Sequence, residues 1–221
     1  MSIPAIRPYP MPTEADLGAS VPSWRPDAGR ALLLIHDMQR YFVDLFPAGE
    51  APMRDLLANL RRIRHAATAL GMPVVYTAQP GRMSRRRRGL LRDFWGPGMR
   101  SDGPDREIVS ALRPGPGDVL VEKCRYSAFH DTGLAEVLRT HRRDQLIVCG
   151  VFAHIGCLMT ACDAFTRDVE PFLIADAVAD FTAPDHRMAL EYAARTCAVT
   201  MTTGRLLDLL VARDDPGQLD A

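Results

Sequence analysis

The 221-residue sequence predicts an α/β protein with a doubly wound, mainly parallel six-stranded sheet and helices on both faces. Short continuous apolar runs recur along the chain, which is typical of strands buried on both faces of a parallel sheet. Segments with helical apolar spacing separate these runs, and this alternation favours a parallel sheet. The length lies within the range that one α/β sheet fills, so we expect a single domain over residues 1–221.

The elements begin after a proline-rich lead-in, residues 1–30, that we expect to be irregular. The first strand is residues 31–37, where the apolar run ALLLI ends in polar residues. The first helix is residues 52–70, whose leucine, isoleucine and alanine residues recur at helical spacing. Later strands are predicted at residues 73–79, 118–123, 145–152, 171–177 and, more weakly, 198–203. Later helices are predicted at residues 105–112, 132–140, 155–168 and 185–196. Residues 212–221 should form a loose tail.

The composition argues against several functional classes. Basic and acidic residues number 27 each, so no global field attracts nucleic acid or an acidic membrane surface. The sequence has no apolar run of about 18 residues and no N-terminal signal pattern, and we therefore expect a cytoplasmic protein without a membrane span. The five cysteines are odd in number and form no CxxC pair, which argues against a disulfide framework and a zinc site. No GxGxxG or phosphate-loop pattern is present.

Sheets of this kind bind ligands beyond the carboxyl ends of their strands, so the residues that end the apolar runs are the candidates. Asp37 ends the most hydrophobic run and could serve as a general acid or base, or simply cap a turn. Lys123 follows DVLVE, although a single lysine is more often a surface residue. The turn at residues 152–157 presents backbone N–H groups near a helix N-terminus, where an anion can bind. His154 in this turn could ligate a metal, but no second ligand stands beside it at helical spacing.

The function of two stretches stays undecided when only their residues are considered. GVFAHIGCL (150–158) places Cys157 in a strand-to-helix turn, where a hydrolase could keep a nucleophile. SRRRRGLLRDFWGPGM (84–99) combines basic and aromatic residues and could bind RNA by charge and stacking. Zero net charge and a single basic run favour a solvated or substrate-facing loop instead.

Six stretches together resemble the isochorismatase family, in order and at compatible spacing over nearly the whole chain. They are HDMQRYF (36–42), YTAQPG (76–81), RGLLRDFWGPGM (88–99), KCRYSAFH (123–130), CGVFAHIGCL (149–158) and DAVADF (176–181). The resemblance implies an isochorismatase-like, Rossmann-like fold. It also implies an enzyme of secondary-metabolite biosynthesis, as in siderophore and phenazine pathways, that acts on a small dianionic substrate without a metal or organic cofactor.

The resemblance also indicates which residues carry the chemistry. Cysteine hydrolases of the wider superfamily, such as nicotinamidases, use Asp, Lys and Cys, with the cysteine six residues after the glycine of the turn. Counting from Gly150, that position is Gly156, and Cys157 lies one residue later, about 100° further round a helix. The resemblance therefore implies catalytic Asp37 and Lys123, with Gly156 in place of a nucleophile.

The implied reaction is acid-catalysed hydrolysis of the enolpyruvyl (vinyl) ether of isochorismate or 2-amino-2-deoxyisochorismate. Protonated Asp37 gives its proton to the terminal methylene carbon, and water adds to the resulting oxocarbenium ion. The hemiketal then collapses to pyruvate and a dihydrodiol or dihydro-3-hydroxyanthranilate. The resemblance places these residues around the substrate: Phe42, Gln79, Arg88, Trp95, Tyr126, Val151, Phe152 and Ile155. It also implies a cis peptide bond between Val151 and Phe152.

Close relatives carry tryptophan where this chain has Cys124 and tyrosine where it has Phe152, so substrate preference could differ. From the family we expect a homodimer, no aryl carrier domain within this chain, and an aryl carrier or other pathway enzymes as separate partners. Two alternatives remain beside the leading hypothesis. One is a cysteine-dependent amidase of the nicotinamidase type that uses Cys157, and the other is a non-enzymatic, RNA-associated scaffold that keeps only the fold.

Overall fold

Residues 5–100 and 103–212 are described by a computed structural model, and they contain a six-stranded sheet with the strand order β3-β2-β1-β4-β5-β6. The strands are β1 (Ala31–His36), β2 (Val74–Ala78), β3 (Val119–Glu122), β4 (Gln145–Val151), β5 (Glu170–Ala179) and β6 (Val199–Met201). Every neighbouring pair is parallel. The predicted fold class is therefore confirmed.

Helices connect the strands and cover both faces of the sheet. They are α1 (Arg40–Val43), α2 (Met53–Ala69), α3 (Arg85–Arg88), α4 (Leu91–Trp95), α5 (Leu134–Thr140), α6 (Leu158–Thr166), α7 (Ala183–Thr196) and α8 (Thr203–Val211). Single 3₁₀ turns occur at Glu14–Asp16, Pro104–Arg106 and Ser110–Leu112, and a wide π-helical turn, Ala153–Cys157, leads into α6.

The central strands β1 and β4 are buried along their full length, which explains why their sequences read as continuous apolar runs. Successive side chains of a strand point to opposite faces, so β1 divides its apolar residues between two cores. Leu33 and Ile35 pack on the face covered by α2 and α8. Leu32 and Leu34 pack on the face covered by α5, α6 and α7. Each fully buried leucine contributes about 1.5–3 kcal/mol of transfer free energy.

The strand order reverses at β1, because the chain builds outward from β1 to β3 and then returns to add β4 on the other side. Such a switch point leaves a crevice beyond the carboxyl ends of the two central strands. The backbone there is unusual: Asp37 directly after β1 has φ 51°, and Gly150 near the end of β4 has φ 116°. A Cβ on Gly150 would lie 2.2 Å from the backbone oxygen of His36, so only glycine lets these strands approach.

One predicted helix is wrong. Residues 105–112 contain only the two 3₁₀ turns already named, and the backbone between them is extended. Its backbone groups pair with the segment after β1: the Val109 N–H donates to the Met38 carbonyl at 3.0 Å, and Ile108 forms an antiparallel bridge with Gln39. These long-range bonds compete with a local helix, and the apolar spacing of the segment comes from packing over α2 instead.

The other differences concern helices that were not predicted or that have different bounds. Helix α8, whose N-cap Thr202 accepts a hydrogen bond from the Arg205 N–H, was not predicted, and neither were the short helices α1, α3 and α4. The predicted helix at 155–168 is split into the π-helical turn and α6.

Residues 5–30 of the lead-in form one 3₁₀ turn and no other helix or strand. They pack along the domain. Ile6 is buried, and the Val21 N–H donates to the Ala194 carbonyl of α7 at 2.9 Å. Of the predicted tail at residues 212–221, residues 213–221 lie outside the described part of the chain. Among the described helices, none is both long and apolar enough to cross a membrane.

Candidate active site

Asp37 and Lys123 form a buried ion pair at the carboxyl edge of the sheet. Lys123 Nζ lies 2.8 Å from Asp37 Oδ2, and Lys123 and Asp37 are 2% and 4% exposed. Lys123 follows β3 and Asp37 follows β1, so the fold brings together residues 86 positions apart in the sequence by aligning two parallel strand ends. The ammonium group also donates to the carbonyls of Arg125 and Tyr126, at 3.0 and 3.5 Å. All three Nζ donors therefore have an acceptor within the protein.

Strand β2 and the residue after it supply the other contacts of the Asp37 carboxylate. The Thr77 hydroxyl donates to Oδ1 at 2.6 Å, and the Gln79 amide nitrogen lies 3.4 Å from Oδ2. Burial alone would raise the pKa of Asp37, but the charge of Lys123 and the hydrogen bonds to the carboxylate outweigh it and hold this pKa below its usual value. Asp37 is thus ionised at neutral pH in the ligand-free protein.

A cleft of about 470 Å³, including its mouth, opens above this pair. Its lining contains all the residues that were predicted at the site from the sequence: Asp37, Phe42, Gln79, Arg88, Trp95, Lys123, Tyr126, Val151, Phe152, Ile155 and Gly156. Three further residues that were not predicted also line it: His36, Leu91 and Phe181. The structure therefore brings the whole predicted set together around one cleft.

Arg88 is the second cation of the cleft and is only 4% exposed, whereas its neighbours in the arginine run are exposed. Its guanidinium donates to the Gly96 carbonyl and to Gln79 Oε1, both at 3.0 Å. Burial lowers the pKa of Arg88 from its ordinary value, although nearby tyrosines oppose this shift. Gln79 is itself fixed by buried Gln39, whose amide accepts from the Gln79 N–H at 2.7 Å and donates to the Gln79 carbonyl at 2.9 Å.

Aromatic rings make up part of the cleft lining. Phe152 lies in edge contact with Phe42, at 5.9 Å between ring centroids, and its ring is 4.2 Å from that of Phe181. Trp95 from α4 donates its indole N–H to the Tyr126 hydroxyl at 2.7 Å. The cleft thus combines apolar ring surface with the Asp37 carboxylate and two cations, Lys123 and Arg88.

The turn after β4 contains the cis peptide bond between Val151 and Phe152 that the resemblance implies. Gly156 faces the cleft, while Cys157 is fully buried within the core of the α5–α7 face. Burial raises the pKa of the Cys157 thiol well above its usual value. A buried, protonated thiol is a poor nucleophile, so the structure argues against the amidase that would use Cys157.

The remaining predicted features lie away from the cleft lining. Cys124 faces an exterior groove with Arg87 and Glu122 and does not line the cleft. His154 pairs with Asp180, with Nδ1 2.7 Å from Oδ1. Burial opposes protonation of His154, but the Asp180 carboxylate raises its pKa overall. Within residues 5–100 and 103–212, no cluster of three or more His, Cys, Asp or Glu side chains is placed to hold a metal ion.

The same fold occurs in known proteins. A family model described as the isochorismatase domain matches residues 31–205. The isochorismatase of Bacillus subtilis (strain 168) is 53% identical over 210 residues, which cover 95% of this chain and 67% of that protein. The chain belongs to the isochorismatase family. The predicted resemblance is thereby confirmed, and the protein is an isochorismatase-type hydrolase.

Two further similarities are consistent with this assignment. The phenazine biosynthesis protein PhzD of Pseudomonas fluorescens is 52% identical over 205 residues, covering 93% of this chain and 98% of that protein. A solved cysteine hydrolase from Pseudomonas syringae pv. phaseolicola 1448A has a TM-score of 0.74 at 26% identity, covering 94% of this chain and 97% of that one. This chain thus shares its fold with a solved cysteine hydrolase.

Several residues of the site have signals in the sequence, and the prediction of the site did not use these signals. Lys123 is the only lysine in a sequence with 27 lysine and arginine residues, a bias that distinguishes it by composition alone. His36 and Gln39 lie within HDMQRYF, and Phe181 ends DAVADF, so all three belong to stretches that carry the resemblance. Thr77 lies at the end of the β2 apolar run and had no separate signal.

Proposed function

We propose that this cleft hydrolyses the enolpyruvyl ether of isochorismate or of 2-amino-2-deoxyisochorismate, releasing pyruvate and a dihydrodiol or its amino counterpart. The observation that carries the proposal is the buried Asp37–Lys123 pair beside Gly156, a position without a side chain. A carboxyl group is available to give a proton, and position 156 offers no nucleophile. The names of the relatives support the same reaction class.

Asp37 must gain a proton before it can protonate the terminal methylene carbon, because it is ionised in the free protein. A substrate carboxylate that enters the cleft brings a second negative charge close to Asp37, and like charges raise the pKa of a carboxyl group. Substrate binding therefore promotes the protonation that catalysis needs. After proton transfer, the carboxylate of Asp37 lies beside the oxocarbenium ion and stabilises it electrostatically until water adds.

Arg88 is the better partner for a substrate carboxylate than Lys123. The three donors of Lys123 already have acceptors, whereas Arg88 has five N–H donors and directs two named bonds to Gly96 and Gln79. Lys123 would then act on Asp37, keeping the carboxyl group oriented and limiting its basicity. The aromatic rings in contact with Phe152 would hold the ring of the substrate.

The test is pyruvate release from both compounds by the purified protein, compared for wild type and Asp37→Asn. The asparagine is isosteric but cannot donate an acidic proton, so we expect a loss of at least about 100-fold in kcat. Asp118→Asn is the matched control, because Asp118 also pairs with a cation at 2.8 Å, Arg64, but does not line the cleft. Full activity of Asp37→Asn would show that another group supplies the proton.

Labelled water tests the bond that breaks. Water that adds to the oxocarbenium ion enters pyruvate, so hydrolysis in H₂¹⁸O should leave the ring hydroxyl of the dihydrodiol unlabelled. Label at that ring hydroxyl would mean that water attacks the ring carbon, and the proposed route would then be wrong.

We further propose that the enzyme works in the cytoplasm as a homodimer. Leu90 and Phe94, beside the mouth of the cleft, are 80% and 63% exposed, which is unusual for large apolar side chains and supports a protein contact there. Sedimentation of the wild type and of Leu90→Glu/Phe94→Glu tests the dimer, and a wild-type monomer at micromolar concentration would contradict it.

A further inference from the structure

The imidazole of His36 occupies the space where a side chain on residue 156 would lie. A Cβ built on Gly156 would be 2.1 Å from His36 Cε1 and 2.9 Å from each ring nitrogen. Contacts this short do not occur between unbonded carbon atoms, so residue 156 can carry a side chain only if the imidazole moves. The absence of a nucleophile at position 156 is therefore tied to a residue 120 positions earlier in the chain.

The ring of His36 is held firmly in this place. His36 is the last residue of β1, is fully buried, and pairs in register with Gly150 of β4. Its Nδ1 lies 2.8 Å from the Val151 carbonyl, and a carbonyl can only accept, so Nδ1 carries the proton. Burial lowers the pKa of His36 to about 4, so the ring is neutral at neutral pH.

The neutral state of the His36 ring affects Asp37, because His36 Nδ1 is 3.8 Å from Asp37 Oδ2. A permanent positive charge here would add to that of Lys123 and oppose protonation of Asp37. The neutral ring fills volume at the floor of the cleft without adding that charge. Among the described residues its Nε2 makes no hydrogen bond of good geometry, and the interaction of the ring with the Tyr126 backbone is a minor one. Packing and the bond to Val151 therefore hold the ring in place.

We propose that His36 is a positioning and specificity-determining residue, whose neutral imidazole excludes a nucleophilic side chain at position 156 and so confines the Asp37–Lys123 pair to acid catalysis. The catalytic part of this statement rests on the proposed function. The steric part does not, because it concerns only whether residues 36 and 156 compete for one volume.

A double-mutant cycle measures that competition without substrate. Gly156→Ala, His36→Ala and the double variant are compared with wild type by urea unfolding. The Gly156→Ala substitution should increase the unfolding equilibrium constant about 10- to 100-fold more in the wild-type background than in the His36→Ala background, where the ring is absent. His36→Ala has its own cost from the lost bond to Val151 and from the cavity, and the cycle subtracts this cost.

Gly133→Ala provides the matched control, since a Cβ on Gly133 meets nothing within 4 Å. Its effect should be the same with and without His36. If Gly156→Ala fails to fold alone but folds together with His36→Ala, the competition is confirmed. Equal effects of Gly156→Ala in the two backgrounds, or loss of folding in both while His36→Ala folds, would overturn the proposal.

A cysteine at position 156 tests the chemical consequence. In Gly156→Cys/His36→Ala the thiol has room beside Lys123, and we expect iodoacetamide to alkylate it, the thiolate displacing iodide to form a thioether. In Gly156→Cys alone the thiol should react at least about tenfold more slowly or the protein should be unstable. Peptide mass mapping reads the site, and buried Cys149 and Cys157 serve as internal references. Equally fast alkylation in both variants would contradict steric exclusion, and absence of pyruvate release by the wild type would contradict only the proposed function.

Discussion

Replacing Lys123 by methionine should reverse the pH dependence that Asp37 gives to stability. The substitution keeps a long apolar side chain but removes the cation that lies 2.8 Å from the Asp37 carboxylate. In the wild type the pKa of Asp37 is held below its unfolded value of about 3.9, mainly because the pair with Lys123 overcomes burial. Its contribution to stability is therefore fully present above about pH 4 and is lost only as the pH falls through the folded pKa.

In Lys123→Met the burial of Asp37 remains and its cation is gone, so its pKa should rise above the unfolded value. The folded state then binds a proton more tightly than the unfolded state. Between about pH 4 and the raised pKa, stability should fall as pH rises, by up to about 1.4 kcal/mol per pH unit. At neutral pH the total loss should reach about 3–5 kcal/mol, the range found when one partner of a buried ion pair is removed.

Urea unfolding of both proteins at several pH values from about 5 to about 8 measures this slope. Arg54→Met is the control, since Arg54 pairs with Asp55 at the surface, and we expect it to leave the slope unchanged. Since Lys123 is the only lysine, ¹³C-lysine labelling gives one side-chain signal whose shift should follow the titration of Asp37 in the wild type. If the free energy of unfolding of Lys123→Met changes with pH in the same way as that of the wild type, the reasoning is refuted.

Three further outcomes follow from the site. Because Asp37 is ionised in the free enzyme but must react protonated, kcat/KM should fall about tenfold per pH unit from about pH 6 to about pH 8, and a flat profile would contradict this role. Arg88→Met removes a buried cation and should lower kcat/KM roughly 10- to 150-fold, mainly through KM, as steady-state kinetics would show. Cys157→Ser should keep its pyruvate-forming activity, and the activity of the wild type should survive iodoacetamide treatment, because the Cys157 thiol is buried and protonated.

The sheet was predictable because its central strands are buried on both faces. Burial forces residues of β1 and β4 to be apolar with little interruption, and that signal is local in the sequence. The helix expected at residues 105–112 was wrong for the opposite reason. Ile108 bridges to Gln39, a contact between distant parts of the chain that competes with helix formation and leaves no local pattern.

The cleft residues were predictable in identity, since strand ends and the family resemblance indicated Asp37, Lys123 and Gly156. Their burial and their charge state were not predictable. Arg88 stands in a run of four arginines, and nothing local distinguishes it, yet it alone of the four is buried and reaches Gln79. Its burial depends on how α3 and α4 fold over the carboxyl edge of the sheet.

By itself, the sequence determined the order of the strands along the chain, the residue types at their carboxyl ends and the glycine at position 156. Only the tertiary structure decided the charge of Asp37, the burial of Arg88 and Cys157, and the contact of His36 with Gly156. The physical reason is that desolvation, ion pairing and steric exclusion depend on distances of a few ångströms, and those distances are set by segments far apart in sequence.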